Sequence, residues 1–187
     1  GKATIKINLL GEFNIENVLA AFTVLCLSGA STEAVAAKLS DFNGLPGRME
    51  VFSSEDKPLI VVDYAHTPDA LEKALTSLKP YCKGELFCVF GCGGGRDSGK
   101  RAQMGSIVES LSDKIILTND NPRDELPEKI FENILKGIEN KSKVIIKEDR
   151  SDALISSFLE AKKDDVILLA GKVNEITQKI DSITIPF

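Results

Sequence analysis

Leu86-Phe87-Cys88-Val89-Phe90 runs straight into Gly91-Cys92-Gly93-Gly94-Gly95-Arg96-Asp97-Ser98-Gly99, then into a helix-compatible stretch from about Lys100 to Leu111. Five apolar residues in a row, closed by glycine, read as a strand covered on both faces. The same rhythm recurs on either side. Leu59 to Val62 is an apolar run of strand length, followed by Thr67-Pro68, a cap and a proline at the first helical position, where its missing N–H costs little. The helix opened there carries Ala70, Leu71, Ala74, Leu75 and Leu78. Ile115 to Leu117, Val144 to Ile146 and Val166 to Ala170 are further strands, with helices over Glu128 to Ile138 and Asp152 to Ala161. This spacing predicts an α/β fold, a parallel sheet flanked by helices on both faces. Ligands of such sheets sit beyond the carboxyl ends of the strands. That rule singles out Asp63 to Thr67, Gly91 to Gly99, Thr118 to Arg123 and Gly171 to Glu175.

Upstream the pattern differs. Ala3 to Leu9 alternates polar and apolar residues and predicts a half-buried strand, broken by Gly11. From Asn14 to Ser28, Ile15, Val18, Leu19, Phe22, Leu25 and Cys26 fall on one helical face, with Gly29 as a stop. Ser31 or Thr32 caps a second helix through about Leu39. Asn43-Gly44-Leu45-Pro46-Gly47 is the strongest punctuation in the chain, and a boundary is expected there, between residues 1–46 and 47–187.

Composition removes several classes of function. The 187 residues are 43% hydrophobic and 27% charged, the balance of a soluble globular protein with its own core. A net charge of −5 has the wrong sign for nonspecific nucleic-acid binding. Cys26, Cys82, Cys88 and Cys92 show no paired spacing and His66 is the sole histidine, so no structural zinc site is expected. Cys26 and Cys88 sit in apolar runs and read as buried thiols. No apolar run is long enough to span a membrane, and Gly1 to Lys6 has no leader-like apolar core. Unpaired cysteines without an export signal point to the cytoplasm.

The glycine loop invites two phosphate readings. G-x-G-x-x-G fails, because the third glycine falls on Arg96. The Walker pattern runs from Gly94 to Gly99-Lys100, but Arg101 stands where a metal-binding hydroxyl belongs. Glycine N–H groups beside Arg96, Lys100 and Arg101 favour an anion-binding loop over a plain strand-to-helix turn. Asp63 and His66 lie at a strand end, where an acid can accept ribose hydroxyls or cap the strand. Thr118-Asn119-Asp120-Asn121-Pro122-Arg123 has the residues of an Asx turn, plus an arginine whose fork suits a carboxylate or phosphate.

Taken together, several segments resemble the Mur ligases: Phe13 to Asn17, Leu45 to Glu50, Asp63 to Leu71, Phe90 to Arg101, Asp120-Asn121-Pro122-Arg123 and Gly171 to Glu175. They follow one another in family order from about Leu10 to Glu175. The resemblance implies that residues 1–46 are the last strand and helices of a central ATP-binding domain. Residues 47–187 would then form a C-terminal Rossmann-like domain that brings an amino acid. The family's phosphate-binding loop and Mg²⁺ positions have no counterpart in this sequence, so no catalytic or metal residue is expected in it. The chain is expected to be a fragment or shortened relative, inactive by itself. In the intact enzyme, the resemblance implies ATP and Mg²⁺, an acyl phosphate, and attack by an incoming amine. It places Asn14, Asn17, Arg48, Asp63 and His66 around the nucleotide. Arg96, Asp120, Asn121, Pro122, Arg123, Gly171 and Glu175 are placed around the amino acid. D-N-P-R marks the branch that adds meso-diaminopimelate to UDP-N-acetylmuramoyl-L-alanyl-D-glutamate (UDP-MurNAc-dipeptide) in peptidoglycan synthesis. No obligate protein partner is implied.

Two departures stand out. The family's G-K-G-H-E reads Gly171-Lys172-Val173-Asn174-Glu175, and Gly95 replaces a common acid. Val173 is a poor residue for positive φ, which would reposition Glu175. A lysine-adding enzyme, a folylpolyglutamate or cyanophycin synthetase-like ligase, and a noncatalytic Rossmann-like binding module remain the alternatives.

Overall fold

The computed structural model describes residues 2–172, 175, 177–180 and 183–186. Helices α1 (Phe13–Leu27) and α2 (Thr32–Ser40) come first, then strands β1 (Glu50–Phe52) and β2 (Leu59–Asp63). Next are α3 (Pro68–Leu78), β3 (Leu86–Phe90), α4 (Gly99–Leu111), β4 (Lys114–Leu117) and α5 (Pro127–Leu135). The chain continues through β5 (Val144–Ile146), α6 (Arg150–Glu160) and β6 (Val166–Ala170) to a hairpin of β7 (Thr177–Ile180) and β8 (Ile183–Pro186). It forms two compact units, Gly1–Leu45 and Pro46–Phe187.

The second unit is built on a six-stranded sheet in the order β1-β2-β6-β3-β4-β5. β2, β6, β3, β4 and β5 are mutually parallel, in register from Val61 through Leu168 and Cys88 to Ile115. All five residues of β3 are buried, because helices cover both its faces. Phe87, Val89, Ile116 and Ile167 form one face, packed on Ala153 and Phe158 of α6. The alternating residues Cys88, Ile115, Leu117 and Leu168, all inaccessible, turn to the other face, where α3, α4 and α5 pack side by side. Helix starts follow their sequence signals. Thr67 accepts the Ala70 N–H ahead of Pro68, Asp149 caps α6, and Pro127 opens α5.

Two expectations need correction, and three strands are added. Ala3 to Leu9 is not a strand. Alternation marks a half-buried surface, but a strand needs a ladder partner, and the Lys6 N–H instead donates to Ser40 Oγ. The five expected strands are mutually parallel, and three unpredicted ones join them: β1, antiparallel to β2 at the sheet edge, and the β7–β8 hairpin after Val166–Ala170. Finally, α1 does not bury the predicted stripe: Val18 is enclosed, whereas Ile15, Leu19 and Leu25 stay exposed and Cys26 is only half-buried. Within Gly1–Leu45 the one helix available to cover α1 is the nine-residue α2, too small for that stripe.

Beyond β3 and β4, two loops lock together. A Cβ on Gly91 would stand 2.0 Å from the Thr118 carbonyl oxygen, and one on Gly94 1.8 Å from that of Pro122. Glycine is needed at both for close backbone approach. The Gly94 N–H donates to Asn121 O at 2.9 Å and the Gly95 N–H to Glu125 Oε2 at 3.3 Å. Arg101 closes the joint from below. Its guanidinium is fully buried, forks onto Glu125 at 2.6 and 2.8 Å, and donates to Gly93 O. Arg101 is therefore a structural cation, and the anion-binding reading of the loop loses it together with the Gly94 and Gly95 N–H groups.

This pair makes a testable ledge. Removing the carboxylate strands a buried guanidinium, so Glu125→Ala is expected to cost about 3 kcal/mol, read from the urea midpoint. The Arg101 hydrogen bonds hold the Glu125 carboxyl down at about 2. A carboxyl lowered in the folded state contributes stability above its ordinary range and loses it as pH falls toward the folded value. Stability should thus decline between about pH 5 and pH 2, and more shallowly in Glu125→Gln. Equal slopes would show that the pair contributes nothing.

Candidate functional site

The carboxyl ends of β2, β6, β3 and β4 share one edge of the sheet, and the loops leaving them enclose a cavity of about 370 Å³. Tyr64 and His66 come from the loop after β2, Gly91 to Gly93 and Arg96 from the loop after β3, and Lys100 from the start of α4. Asp120, Asn121 and Arg123 follow β4, and Gly171 and Glu175 follow β6. Six of the seven residues expected around an amino acid therefore line one cavity. The seventh, Pro122, is buried beneath it, its carbonyl oxygen accepting the Glu125 N–H.

Asn121 is the hub. It is 5% exposed and its Nδ2 donates to Glu175 Oε2 at 2.7 Å. Its Oδ1 accepts from Lys172 Nζ at 3.2 Å and from the Lys179 N–H at 2.9 Å. Arg123 stands in the left-handed region at φ 53°, unusual for a residue with a Cβ. Three contacts hold it there: its N–H donates to Lys179 O, and its Nη1 to Gly94 O at 2.8 Å and Asn121 O at 3.3 Å. The arginine thus does not pair with Asp124 or Glu125, the latter being taken by Arg101. Gly171, at φ +95°, needs its lack of a side chain, and its N–H donates to Asp63 O. Val173 and Asn174, where the family motif is broken, lie outside the described residues.

Charges of both signs border the cavity. The Asn121 hydrogen bond, Lys172 and Arg123 hold the Glu175 carboxyl below its usual range. Arg96 is exposed at the rim, and Lys100 reaches His66 O at 3.3 Å. Cys92 is no nucleophile, since burial pushes its thiol up to about 12. Among the described residues no group of three or more His, Cys, Asp or Glu side chains is placed to hold a metal ion.

The residues expected around a nucleotide are divided between the two units. Asn14 and Asn17 belong to Gly1–Leu45 and bond to each other at 3.0 Å, with Asn14 Nδ2 donating to Leu10 O. In Pro46–Phe187, the Arg48 guanidinium lies 4.6 Å over the Tyr64 ring, and that ring meets His66 edge-on at 4.6 Å. His66 Nδ1 is 2.8 Å from Tyr64 O. Asp63 accepts the Met49 N–H at 2.8 Å and the Ala65 N–H at 2.9 Å, one on each oxygen, which is the strand-end cap. Sequence reasoning missed Lys172, Tyr64 and the buried Arg150, whose Nη2 donates to Ala170 O at 2.7 Å. A lysine directly after an apolar strand and its glycine was the available signal for Lys172.

A mostly parallel α/β sheet whose strand-end loops gather both charge signs around a D-N-P-R turn has the architecture of the C-terminal domain of a Mur-type ligase. The chain belongs to the Mur ligase family: residues 47–173 match the family described as "Mur ligase, glutamate ligase domain". It is 49% identical over 187 residues to the UDP-N-acetylmuramoyl-L-alanyl-D-glutamate--2,6-diaminopimelate ligase of Coxiella burnetii. The protein of the same name from Gloeobacter violaceus is 46% identical over 188 residues. In both comparisons all of this chain is covered and 38% of the relative's length. A solved structure bearing the same name superposes with a TM-score of 0.75 at 39% identity, over 98% of this chain and 38% of that one. A Mycobacterium tuberculosis folylpolyglutamate synthase complexed with ADP shares the fold, at TM-score 0.69 and 22% identity over 90% of this chain and 39% of its own.

The cap at Asp63 can be tested directly. An amide presents one acceptor oxygen and turns an NH₂ toward the second backbone N–H. Asp63→Asn is therefore expected to destabilise the chain by about 1–3 kcal/mol in a urea titration. An unchanged midpoint would mean that neither backbone bond contributes.

Proposed function

We propose that the chain is the amino-acid-holding part of an ATP-dependent amide ligase that joins meso-diaminopimelate to UDP-N-acetylmuramoyl-L-alanyl-D-glutamate. The carrying observation is the cavity lined by Arg96, Arg123 and Lys100 on one side of the charge balance and by Asp120 and Glu175 on the other. That lining suits a ligand with more than one carboxylate and more than one ammonium. In this reading Arg123 meets the distal carboxylate and Glu175 the neighbouring ammonium, with charge-assisted bonds stronger than neutral ones. Lysine offers no distal carboxylate. The names of the relatives at 49% and 46% identity support the same substrate.

The nucleotide side of the proposal uses Arg48, Asp63 and His66, together with Asn14 and Asn17 from residues 1–46, read as the end of a central ATP-binding domain. Each Asp63 oxygen accepts one N–H and keeps a second lone pair for a ribose hydroxyl. The substrate carboxylate would take the γ-phosphoryl group of ATP, with ADP leaving, and the neutral amine nitrogen of the held amino acid would then attack the acyl carbon as inorganic phosphate and a proton leave. Mg²⁺ belongs to the intact enzyme in this proposal, and no residue here is assigned to it. A cytoplasmic setting follows from the UDP-linked substrate.

The test uses the full-length ligase that carries this chain. Arg123→Ala should lower kcat/KM for meso-diaminopimelate roughly 30-fold or more, the cost of leaving a sheltered carboxylate unpaired. The much weaker activity with lysine should hardly change. Equal losses for both amino acids with a lower melting temperature would make Arg123 purely structural, and a wild type preferring lysine would assign the chain to the other branch.

A further inference from the structure

Lys172 has no part in the reading above, yet it is an enclosed cation bonded to the cavity residue Asn121, its side chain 1% exposed. Burying an ammonium is unfavourable unless its protons are bonded. Here Nζ donates to Asn121 Oδ1 at 3.2 Å and lies 3.5 Å from Glu175 Oε2. An ammonium has donors only, and a backbone N–H likewise, so both Lys172 and Lys179 must face an acceptor. Together they engage Asn121 Oδ1 and force the amide the other way up, with Nδ2 toward Glu175 Oε2 at 2.7 Å. Without the lysine the amide oxygen would be held by one backbone N–H alone. Glu175 receives the result. One of its oxygens is tied to Asn121, while the side chain remains 45% exposed at the cavity wall.

We infer that Lys172 is the positioning residue of this cavity: it sets the orientation of the Asn121 amide and, through it, the heading of the Glu175 carboxylate toward an ammonium-bearing ligand. The ligand step rests on the amino-acid reading above, whereas the arrangement of the three side chains does not. The other charges in range are Asp120 and Arg150 around Lys172, and Arg123 around Glu175.

The experiment compares the 187-residue chain with Lys172→Met by NMR, following the Asn121 side-chain amide and the Glu175 carboxyl carbon across pH, and then titrates each with meso-diaminopimelate. Lys172→Met is expected to collapse the separation of the two Asn121 amide protons and to move the Glu175 midpoint up by about half a pH unit or more. Affinity for meso-diaminopimelate should fall roughly tenfold. Lys172→Leu removes the ammonium and leaves no donor in its place, and carries the same readouts if the methionine variant does not fold. Unchanged Asn121 and Glu175 signals beside a lower melting temperature would overturn the inference and leave Lys172 a packing residue. If the wild-type chain shows both signals as expected but does not bind meso-diaminopimelate, the amino-acid reading fails while the positioning role stands.

Discussion

Where a side chain would begin on Gly91 and Gly94, the carbonyl oxygens of Thr118 and Pro122 already stand, at 2.0 and 1.8 Å. The loops after β3 and β4 can therefore meet backbone to backbone. From that approach follow the Gly94 N–H bond to Asn121 O and the Arg123 bond back to Gly94 O. A methyl group at either glycine would part the loops by more than these hydrogen bonds tolerate, since they weaken steeply with distance and angle. The wall of the cavity is thus a single welded unit, in which a strained Arg123 can be held at positive φ.

Electrostatics reinforces the weld from beneath. Three enclosed cations gather at the edge where the parallel strands end: Arg150 bonds Ala170 O at the end of β6, Arg101 bonds Gly93 O and Glu125 in the loops, and Lys172 bonds the Asn121 side-chain oxygen. A buried charge of this kind is stabilised only by the acceptors that surround it. The cations left at the cavity surface, Arg96, Lys100 and Arg123, are the ones in a position to meet a ligand.

The central strands were legible in the sequence because burial on both faces writes an unbroken apolar run, as in Leu86–Phe90 and Val166–Ala170. β1 left no such trace, being three residues long with Val51 and Phe52 exposed. The hairpin was equally silent: Thr177-Gln178-Lys179-Ile180 makes its mark through Lys179 backbone bonds to Asn121 and Arg123, which any residue but proline can supply. At the site, the sequence located the four loops, yet it misjudged Arg101. A buried arginine and a phosphate-binding one look alike until the partner is known, and Glu125 lies 24 positions away. Alternation at Ala3 to Leu9 and the apolar stripe of α1 failed for the opposite reason. Both describe surfaces suited to burial, and within Gly1–Leu45 there is too little structure to bury them.

The engagement of the Asn121 amide oxygen decides how selectivity could be divided. Its amide oxygen has two donors and its NH₂ is turned to Glu175, so the side chain orders the cavity more than it reads a ligand. Neutral hydrogen bonds exchanged with water contribute little net free energy, about 1 kcal/mol, whereas charged ones contribute about twice that. In the proposed reading, discrimination between amino acids falls to Arg96, Arg123, Asp120 and Glu175, and Asn121 matters by keeping Glu175 and Arg123 in fixed register: it donates to one with its side chain and accepts from the other with its carbonyl. A ligand lacking the distal carboxylate would then face an Arg123 that cannot swing away to solvent, because its Nη1 is bonded to Gly94 O and its backbone to Lys179 O. Rigidity of that kind turns an unmatched charge into a penalty.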